Sequence, residues 1–135
     1  MERIRDNMSI LGIPYPFLRC FFNLSERRLD KLTKMKKENA YQAKLIKKLR
    51  GYDFVIEVLK NNAGYVQGFP DLTIILTNGT WALLECKREE NAKRRPNQGY
   101  YVGTASKVGF SRFIFPENEE EVLRELCEYA SRTCR

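Results

Sequence analysis

The fold of this chain is decided by the stretch Pro70-Asp-Leu-Thr-Ile-Ile-Leu-Thr-Asn-Gly-Thr-Trp-Ala-Leu-Leu-Glu-Cys-Lys87. It holds two runs rich in β-branched, aromatic and aliphatic residues, at 72–77 and 80–87, and only Asn78-Gly79 separates them. Asn-Gly between two such runs is the strongest short-range signal for a β-hairpin. The stretch therefore predicts two antiparallel strands joined by a two-residue turn.

The second strand of this hairpin ends on two charged residues. Side chains alternate between the faces of a strand. One face of the strand carries Trp81, Leu83, Glu85 and Lys87. The other face carries Ala82, Leu84 and Cys86. Both sets are largely apolar, which predicts a strand covered on both sides. Glu85 and Lys87 are thus expected at the end of a mostly buried strand.

The hairpin also brings Asp71 towards that end. Counting outward from a two-residue turn pairs Asp71 with Cys86, which places Asp71 beside Glu85 and Lys87 but opposite neither. A bulge or twist is needed to bring its carboxylate to the pair. We expect the structure to show such a displacement.

Two carboxylates and an amine around one point suit metal-dependent hydrolysis of phosphodiesters. Mg²⁺ takes oxygen ligands, commonly one or two carboxylates with water and phosphate oxygens. Asp71 and Glu85 suit that role, and the Cys86 backbone carbonyl is a further candidate ligand. Lys87 would orient or deprotonate a water molecule, or stabilise developing charge. The alternative is that Glu85 and Lys87 only mark the end of the strand and Asp71 is a turn residue.

Three short motifs resemble those of a known nuclease group: Gly68-Phe-Pro-Asp71, Glu85-Cys-Lys87 and Gln98. They resemble the PD-(D/E)XK superfamily, and within it the VRR-NUC type and related small phage Holliday junction resolvase-like nucleases. The resemblance spans residues 36–126. It implies an α/β fold, a restriction-endonuclease-like αβββαβ core with a mixed central sheet. This chain adds an N-terminal segment and a C-terminal helix to that core.

The resemblance also implies roles for five residues. Asp71 and Glu85 would bind Mg²⁺ or Mn²⁺, and Lys87 would be the catalytic lysine. Gln98 would support the site from the next helix, and Glu38 is the candidate for a glutamate that the superfamily often carries on the first helix. The implied activity is that of a metal-dependent DNA endonuclease, phage-type, which nicks, homes or resolves junctions. The superfamily includes restriction, repair, recombination and homing enzymes, so the DNA substrate does not follow.

The residues themselves leave two of these roles open. An apolar stripe at helical spacing predicts a helix over residues 36–50, with Glu38 in its first turn. Two explanations for a glutamate at this position are nearly equal: its side chain reaches the metal site, or its charge is stabilised by the helix dipole. Pro96 is placed to begin a helix that includes Gln98. Gln98 is either a site residue or a solvated residue of that first turn.

The net charge of +7 over 135 residues, with a pI near 9.3, suits a polyanionic partner. Residues 31–50 are strongly basic and residues 117–128 acidic. A basic cluster beside the proposed site either grips DNA phosphates or is a solvated loop; it consists of Lys93, Arg94 and Arg95. We expect DNA to meet the first helix and this loop, and the acidic C-terminal helix to face away.

The sequence has no histidine, which excludes an HNH or HD site, a Ser-His-Asp triad and histidine-bound zinc. Four cysteines without C-x-x-C spacing support neither a zinc ribbon nor a thioredoxin-like site. Cys86 and Cys127 are predicted to be small core residues in a reducing cytosol. A disulfide between two of the cysteines stays an alternative.

The length fits one domain, which we expect over residues 35–135. Residues 1–34 form an N-terminal extension that packs on the core or makes a subunit contact, and residues 25–34 are expected to be helical. The apolar stretch 9–22 is too short and too interrupted to span a bilayer, and it lacks a small-residue cleavage site. These features predict no membrane association and a cytoplasmic, intracellular location. The resemblance to phage nucleases implies that a virus could encode the protein, which would then act in the host cell.

The remaining elements are a first strand over residues 52–59, a fourth over 110–115 and a last helix capped by Asn118. On that helix an apolar stripe is expected to face the core, formed by Val122, Leu123, Leu126, Tyr129 and Ala130. Phe54, Ile56 and Val58 are expected on one face of the first strand. The leading functional hypothesis is a metal-dependent DNA endonuclease, and a homodimer would supply two sites for two strands. The alternatives are a basic nucleic-acid-binding module with a vestigial site, and a purely structural or partner-binding domain.

Overall fold

The computed structural model describes residues 15–62 and 64–132, with side chains from residue 26 onward. The chain divides into two compact units, residues 1–36 and 37–135. In the first unit the described backbone is helical from Tyr15. The roles predicted for residues 1–34 fall largely outside the described side chains and stay a prediction. No helix in the described part of the chain has the length and apolarity needed to cross a membrane.

The elements follow the predicted αβββαβ order, with one further helix. They are α1 (Tyr15–Leu49), β1 (Val55–Lys60), β2 (Leu72–Leu76), β3 (Trp81–Cys86), α2 (Pro96–Ser106), β4 (Phe110–Ile114) and α3 (Glu119–Ser131). The strands form one sheet in the order β1-β2-β3-β4. The β1/β2 and β2/β3 pairs are antiparallel and β3/β4 is parallel, with α2 as the crossover. The expected mixed α/β fold is confirmed.

The main core lies on one face of the sheet. Leu45 and Leu49 of α1 pack there against buried side chains of three elements, which are Leu72, Ile74 and Leu76 of β2, Ala82, Leu84 and Cys86 of β3, and Val122, Leu123, Leu126 and Ala130 of α3. The apolar stripe expected on the last helix is therefore confirmed. The other face, with Leu83, Glu85 and Lys87, is covered by α2, which contacts β3 and β4. Strand β3 is buried on both sides, as its composition predicted.

The first core helix is longer than predicted. Residues 25–34 and 36–50 were both expected to be helical, and that is confirmed: they belong to one helix, α1, which is continuous over 35 residues and begins at Tyr15, before either stretch. Glu38 therefore lies deep inside the helix. Stabilisation by the charge at a helix N-terminus acts only within the first turn, so that explanation of Glu38 is wrong.

The hairpin loop has three residues and not two. Leu76 pairs with Thr80: its N–H donates to the Thr80 carbonyl at 2.9 Å, and its own carbonyl accepts from Gly79 N–H at 3.1 Å. Gly79 has φ 82°, so the connection is a turn followed by a left-handed glycine, which forms a bulge. This extra residue shifts the register by one, and Leu72 pairs with Leu84 where Glu85 was predicted.

Strand β1 departs from its predicted alternation. It begins at Val55, three residues later than expected, and its pairing with β2 is irregular between Val55 and Glu57. Ile56 is the extra residue at that irregularity and is 63% exposed, so the prediction that it shares a face with Phe54 and Val58 is wrong. A bulge reverses the facing of the side chains that follow it.

Two local predictions near the C-terminus also need correction. Cys86 is buried as predicted, but Cys127 is exposed, because the buried stripe of α3 passes through Leu126 and Ala130 on another side of the helix. Asn118 does precede α3, but its side chain turns back: its Oδ1 accepts from Phe115 N–H at 2.8 Å and does not cap the helix.

Candidate active site

Asn61 holds the segment that carries Asp71. Its backbone N–H donates to the Asp71 carbonyl at 2.7 Å, and its Nδ2 donates to the Pro70 carbonyl at 2.7 Å. The same amide exchanges hydrogen bonds with the Thr73 hydroxyl at 2.9 and 3.2 Å. Asn61 follows β1 directly, so it fixes the entry of β2 against the end of its neighbouring strand.

The shifted register places Asp71 and Glu85 directly across from each other. Continuing the pairing of Leu72 with Leu84 by one residue sets Asp71 opposite Glu85. Directly opposed residues project from the same face of a sheet with Cβ atoms about 4.5 to 5.5 Å apart. The displacement expected from the sequence is therefore present, and its cause is the bulge at Gly79.

Pro70 leaves the Cys86 carbonyl without its ladder partner. Along an antiparallel pair of strands, every second pair of opposed residues is joined by backbone hydrogen bonds. Leu76 and Thr80 form such a pair, and six residues further along each strand the pair would be Pro70 and Cys86. Proline has no N–H to donate to the Cys86 carbonyl. The Cys86 N–H faces the same neighbouring strand and donates to the Asp71 side chain, at Oδ2, at 2.9 Å. Asp71 is thus oriented by the backbone, and the Cys86 carbonyl is left to another partner.

Glu85, Lys87 and Gln98 form a connected polar cluster. Lys87 Nζ lies 3.3 Å from Glu85 Oε1 and donates to Gln98 Oε1 at 2.9 Å. Gln98 Nε2 in turn donates to Glu85 Oε1. Glu85 and Lys87 are buried and Gln98 is half-buried. Gln98 is therefore brought into the site, and its alternative as a solvated residue is wrong.

The position of Gln98 depends on how α2 begins. Pro96 starts the helix as predicted, and Gln98 Oε1 also accepts from Arg95 N–H at 3.0 Å, which satisfies one of the free N–H groups at the helix start. Gly68 has φ 86°, and a Cβ built on it would lie 2.4 Å from Asn97 Cβ. Only a glycine lets the chain before Asp71 pass this close to α2.

Glu38 approaches the same end of the sheet from α1. It is half-buried, and burial raises the pKa of its carboxyl. The Lys87 charge lowers that pKa and the Asp71 charge raises it again, so Glu38 lies within electrostatic reach of both residues. It is a peripheral acid of the cluster, without a hydrogen bond to the other members in the described structure.

Burial and mutual repulsion act on the two central carboxyls. Burial, with a smaller contribution from the Asp71 charge, raises the pKa of Glu85 to about 7, although Lys87 opposes the rise. Burial also raises the pKa of Asp71, against the hydrogen bond from Cys86 N–H. Two carboxylates held together in a poorly solvated place call for a positive partner beyond one lysine.

The donor set fits a divalent cation. Glu85 Oε2 is buried, and none of the described residues donates a hydrogen bond to it. Together with Asp71 and the Cys86 carbonyl it offers the hard oxygen ligands that Mg²⁺ or Mn²⁺ takes. Within residues 15–62 and 64–132, no group of three or more His, Cys, Asp or Glu side chains could hold a metal ion. Asp71, Glu85 and the Cys86 carbonyl are the candidate ligands at this end of the sheet.

The structure is similar to a solved structure described as "VRR_NUC domain". The two are 27% identical, the match covers 69% of this chain and 97% of the other, and the TM-score is 0.49. This is the type of domain that the sequence motifs resemble. No protein-family model matches the sequence, and no curated protein matches it.

The basic cluster lies in the exposed connection before α2. Lys93 and Arg95 are exposed, and the guanidinium of Arg94 lies 4.4 Å from the centre of the Phe113 ring. That contact holds Arg94 against the sheet by a cation–π interaction. The predicted contact of these residues with DNA stays a prediction.

The sequence did not predict the structural roles of two residues of the site, Asn61 and Gly68. Asn61 carries no pattern of its own, since an asparagine after a strand is an ordinary turn residue. Gly68 belongs to the motif that ends at Asp71, but its contact with the start of α2 joins residues 29 positions apart and leaves no local signal.

Proposed function

We propose that this protein is a metal-dependent DNA endonuclease that hydrolyses phosphodiester bonds, with Mg²⁺ or Mn²⁺ as cofactor. One observation carries the proposal: Asp71 and Glu85 lie side by side at the end of a buried strand, with Glu85 Oε2 unpaired and Lys87 beside it. An unpaired buried carboxylate oxygen costs folding free energy. A fold that only needed a stable sheet would place an apolar residue there.

Each residue of the cluster has a separate task in this proposal. Asp71 and Glu85 hold the cation, and the Cys86 carbonyl adds a neutral ligand. When bound, the cation lowers the pKa of water and neutralises charge that builds on the phosphate. Lys87 orients the attacking water or stabilises the developing charge as a compact cation. Gln98 keeps Lys87 and Glu85 in place, since it binds both.

The surroundings suit a polyanionic substrate. The chain carries a net charge of +7, and Lys93 and Arg95 are exposed in the connection that leads to Gln98. Exposed basic side chains bind DNA phosphates without sequence preference. The proposal includes a dimer, because cutting both strands of a duplex or junction needs two sites, and action inside a cell.

A cleavage assay tests the proposal. Supercoiled plasmid and a synthetic four-way junction are incubated with the protein in Mg²⁺, Mn²⁺ or EDTA. Asp71→Asn and Lys87→Met keep the size of the side chain and remove one charge each, so both are expected to lose cutting by at least about 100-fold. Asp53→Asn and Arg124→Met each remove one charge at an exposed position and serve as controls; Arg124 lies on the acidic last helix, which is expected to face away from DNA.

The outcomes separate the hypotheses. Cutting that requires the metal and is lost only in the cluster variants supports the endonuclease. Binding of DNA without cutting in either metal would favour a nucleic-acid-binding module with a vestigial site. Cutting that the cluster variants and the matched controls retain equally would refute the assignment of these residues.

A further inference from the structure

An open apolar groove lies on the face of the sheet that carries Glu85. It has a volume of about 400 Å³, within the range of ligand pockets. Its walls come from β3, from α2 and from the loop before β2, chiefly Phe69, Trp81, Leu83, Tyr101 and Val108. Phe69 is 36%, Trp81 40% and Val108 80% exposed, so large apolar surfaces face solvent here.

The groove is continuous with the catalytic cluster. Phe69 is two residues before Asp71, and Leu83 is two residues before Glu85 on the same face of β3. Two residues of a strand span about 6.6 Å. Tyr101 is three residues after Gln98, so it lies one turn further along the same side of α2. Three of the lining residues, Phe69, Leu83 and Tyr101, are thus two or three residues from a member of the cluster, a separation that a single nucleotide can bridge.

We propose that this groove binds one unpaired nucleobase of the DNA strand whose phosphodiester lies at Asp71 and Glu85. The inference rests on the proposed function and adds a substrate feature to it, namely a nucleotide next to the cut that is not base-paired. Aromatic side chains bind unpaired bases by stacking, and every base has a face for it. A base inside a duplex is already stacked and cannot enter a groove in the protein.

The aromatic residues are arranged for this use. The Phe69 and Tyr101 rings lie edge to face with centres 5.6 Å apart, and Tyr101 contacts Tyr100 in the same way at 5.4 Å. Phe69 is therefore held at the rim and does not collapse into the groove. The indole of Trp81 packs closely against Gly109, since a Cβ built on that glycine would lie 3.3 Å from the ring. Rigid aromatic walls lose little entropy when a flat ring enters.

Charge favours a nucleic acid over an apolar partner. Asp71 is within electrostatic reach of Lys60, and Glu38 of Arg88 and Arg95, so the cluster has cations near it besides Lys87. A strand that places its phosphates against these cations brings its bases to the apolar groove. A second copy of this chain or an apolar peptide would fill the groove but leave the neighbouring cations without a partner.

Tryptophan fluorescence tests the proposal without any cutting. Trp81 is the single tryptophan of the sequence and lies in the groove, so its emission reports directly on an occupant. The full chain is titrated in Ca²⁺, and again in EDTA, with a single-stranded oligothymidylate. The comparison ligand has the same length and phosphates but contains abasic sites. Stacking of one base predicts a Kd for the abasic ligand that is about 5- to 150-fold higher.

Variants of the walls give an independent measurement. Phe69→Ala and Tyr101→Ala are expected to raise the Kd for oligothymidylate by a similar factor, measured by fluorescence anisotropy of a labelled strand. Tyr101→Phe keeps the ring and should bind as the natural chain does. Ile56→Ala removes a more exposed apolar side chain, on β1 and outside the groove, and serves as the control for general effects. Circular dichroism melting of each variant shows whether it is folded.

Three results would overturn the proposal. Equal affinity for the normal and abasic strands would show that only phosphates are bound. Unchanged affinity in folded Phe69→Ala would remove the groove from the binding site. A Trp81 emission shift that depends on protein concentration alone would assign the groove to a second copy of the chain. Since none of these measurements uses cleavage, a failure here is distinct from a failure of the endonuclease assay.

Discussion

The contact between Gly68 and α2 predicts a large effect for a very small substitution, Gly68→Ala. Gly68 has φ 86°, a left-handed conformation that costs an alanine about 1 to 2 kcal/mol. The added methyl group would also lie 2.4 Å from Asn97 Cβ, 3.0 Å from Asn97 C and 3.1 Å from Gln98 N. Two of these three neighbours are backbone atoms, so no rotamer change relieves the overlap, and the start of α2 must move.

The magnitude follows from adding these effects. Carbon atoms in contact are normally at least about 3.5 Å apart, so α2 must shift by roughly 1 Å, and overpacking of this kind costs about 1 to 3 kcal/mol. Alanine restricts the unfolded chain and returns about 0.4 to 1 kcal/mol. The net expectation is a loss of about 1 to 5 kcal/mol in the free energy of unfolding, with a central value of about 3. A shift of 1 Å at Gln98 is also expected to reduce cutting by about 100-fold.

Gly79→Ala is the matched control. Gly79 has φ 82°, but no described atom lies within 4 Å of a Cβ built on it. It should therefore lose only about 0.5 to 1.5 kcal/mol from its backbone conformation. Urea unfolding followed by circular dichroism gives both values, and plasmid cleavage gives the activity. If Gly68→Ala costs no more than Gly79→Ala, the argument from the overlap with α2 is wrong.

Three further predictions concern single side chains. Asn61→Ala leaves a proline carbonyl and a threonine hydroxyl without their partner, and it should lower the free energy of unfolding in urea by about 1 to 3 kcal/mol; an unchanged midpoint would contradict this. Asp71→Asn removes the repulsion with Glu85, so we expect a higher Tm by calorimetry together with lost cutting; a lower Tm would count against it. Burial raises the pKa of the Cys86 thiol and Cys127 is exposed, so iodoacetamide labelling mapped by mass spectrometry should modify Cys127 before Cys86 in the native protein; equal labelling of these two would be the contrary result.

Much of the site could be predicted because its signals are local. Side chains alternate between the two faces of a strand. The sequence of β3 therefore predicted that Glu85 and Lys87 share one face and that Cys86 lies on the other. Pro96 marked the start of α2 because its fixed φ suits the first helical position. The stripe of α3 followed from helical periodicity.

Other predictions were wrong where one additional residue in a loop or strand changes the register of strand pairing. The sequence Thr77-Asn-Gly79 is compatible with a two-residue or a three-residue loop, and the choice moves Asp71 from Cys86 to Glu85. The bulge in β1 likewise turned Ile56 outwards. A register shift of one residue exchanges the two faces of a strand, so a small local ambiguity becomes a large error in facing.

The amino-acid sequence alone determined the hairpin, the strand that carries Glu85 and Lys87, and the helix that carries Gln98, because each depends on neighbours in the chain. Only the tertiary structure decided that Asp71 faces Glu85, that Asn61 holds it there, and that Gly68 admits α2 close enough for Gln98 to bind both charges. These relations join positions that are 10 to 30 residues apart, and they exist only when packing against the shared core fixes distances to within about 1 Å.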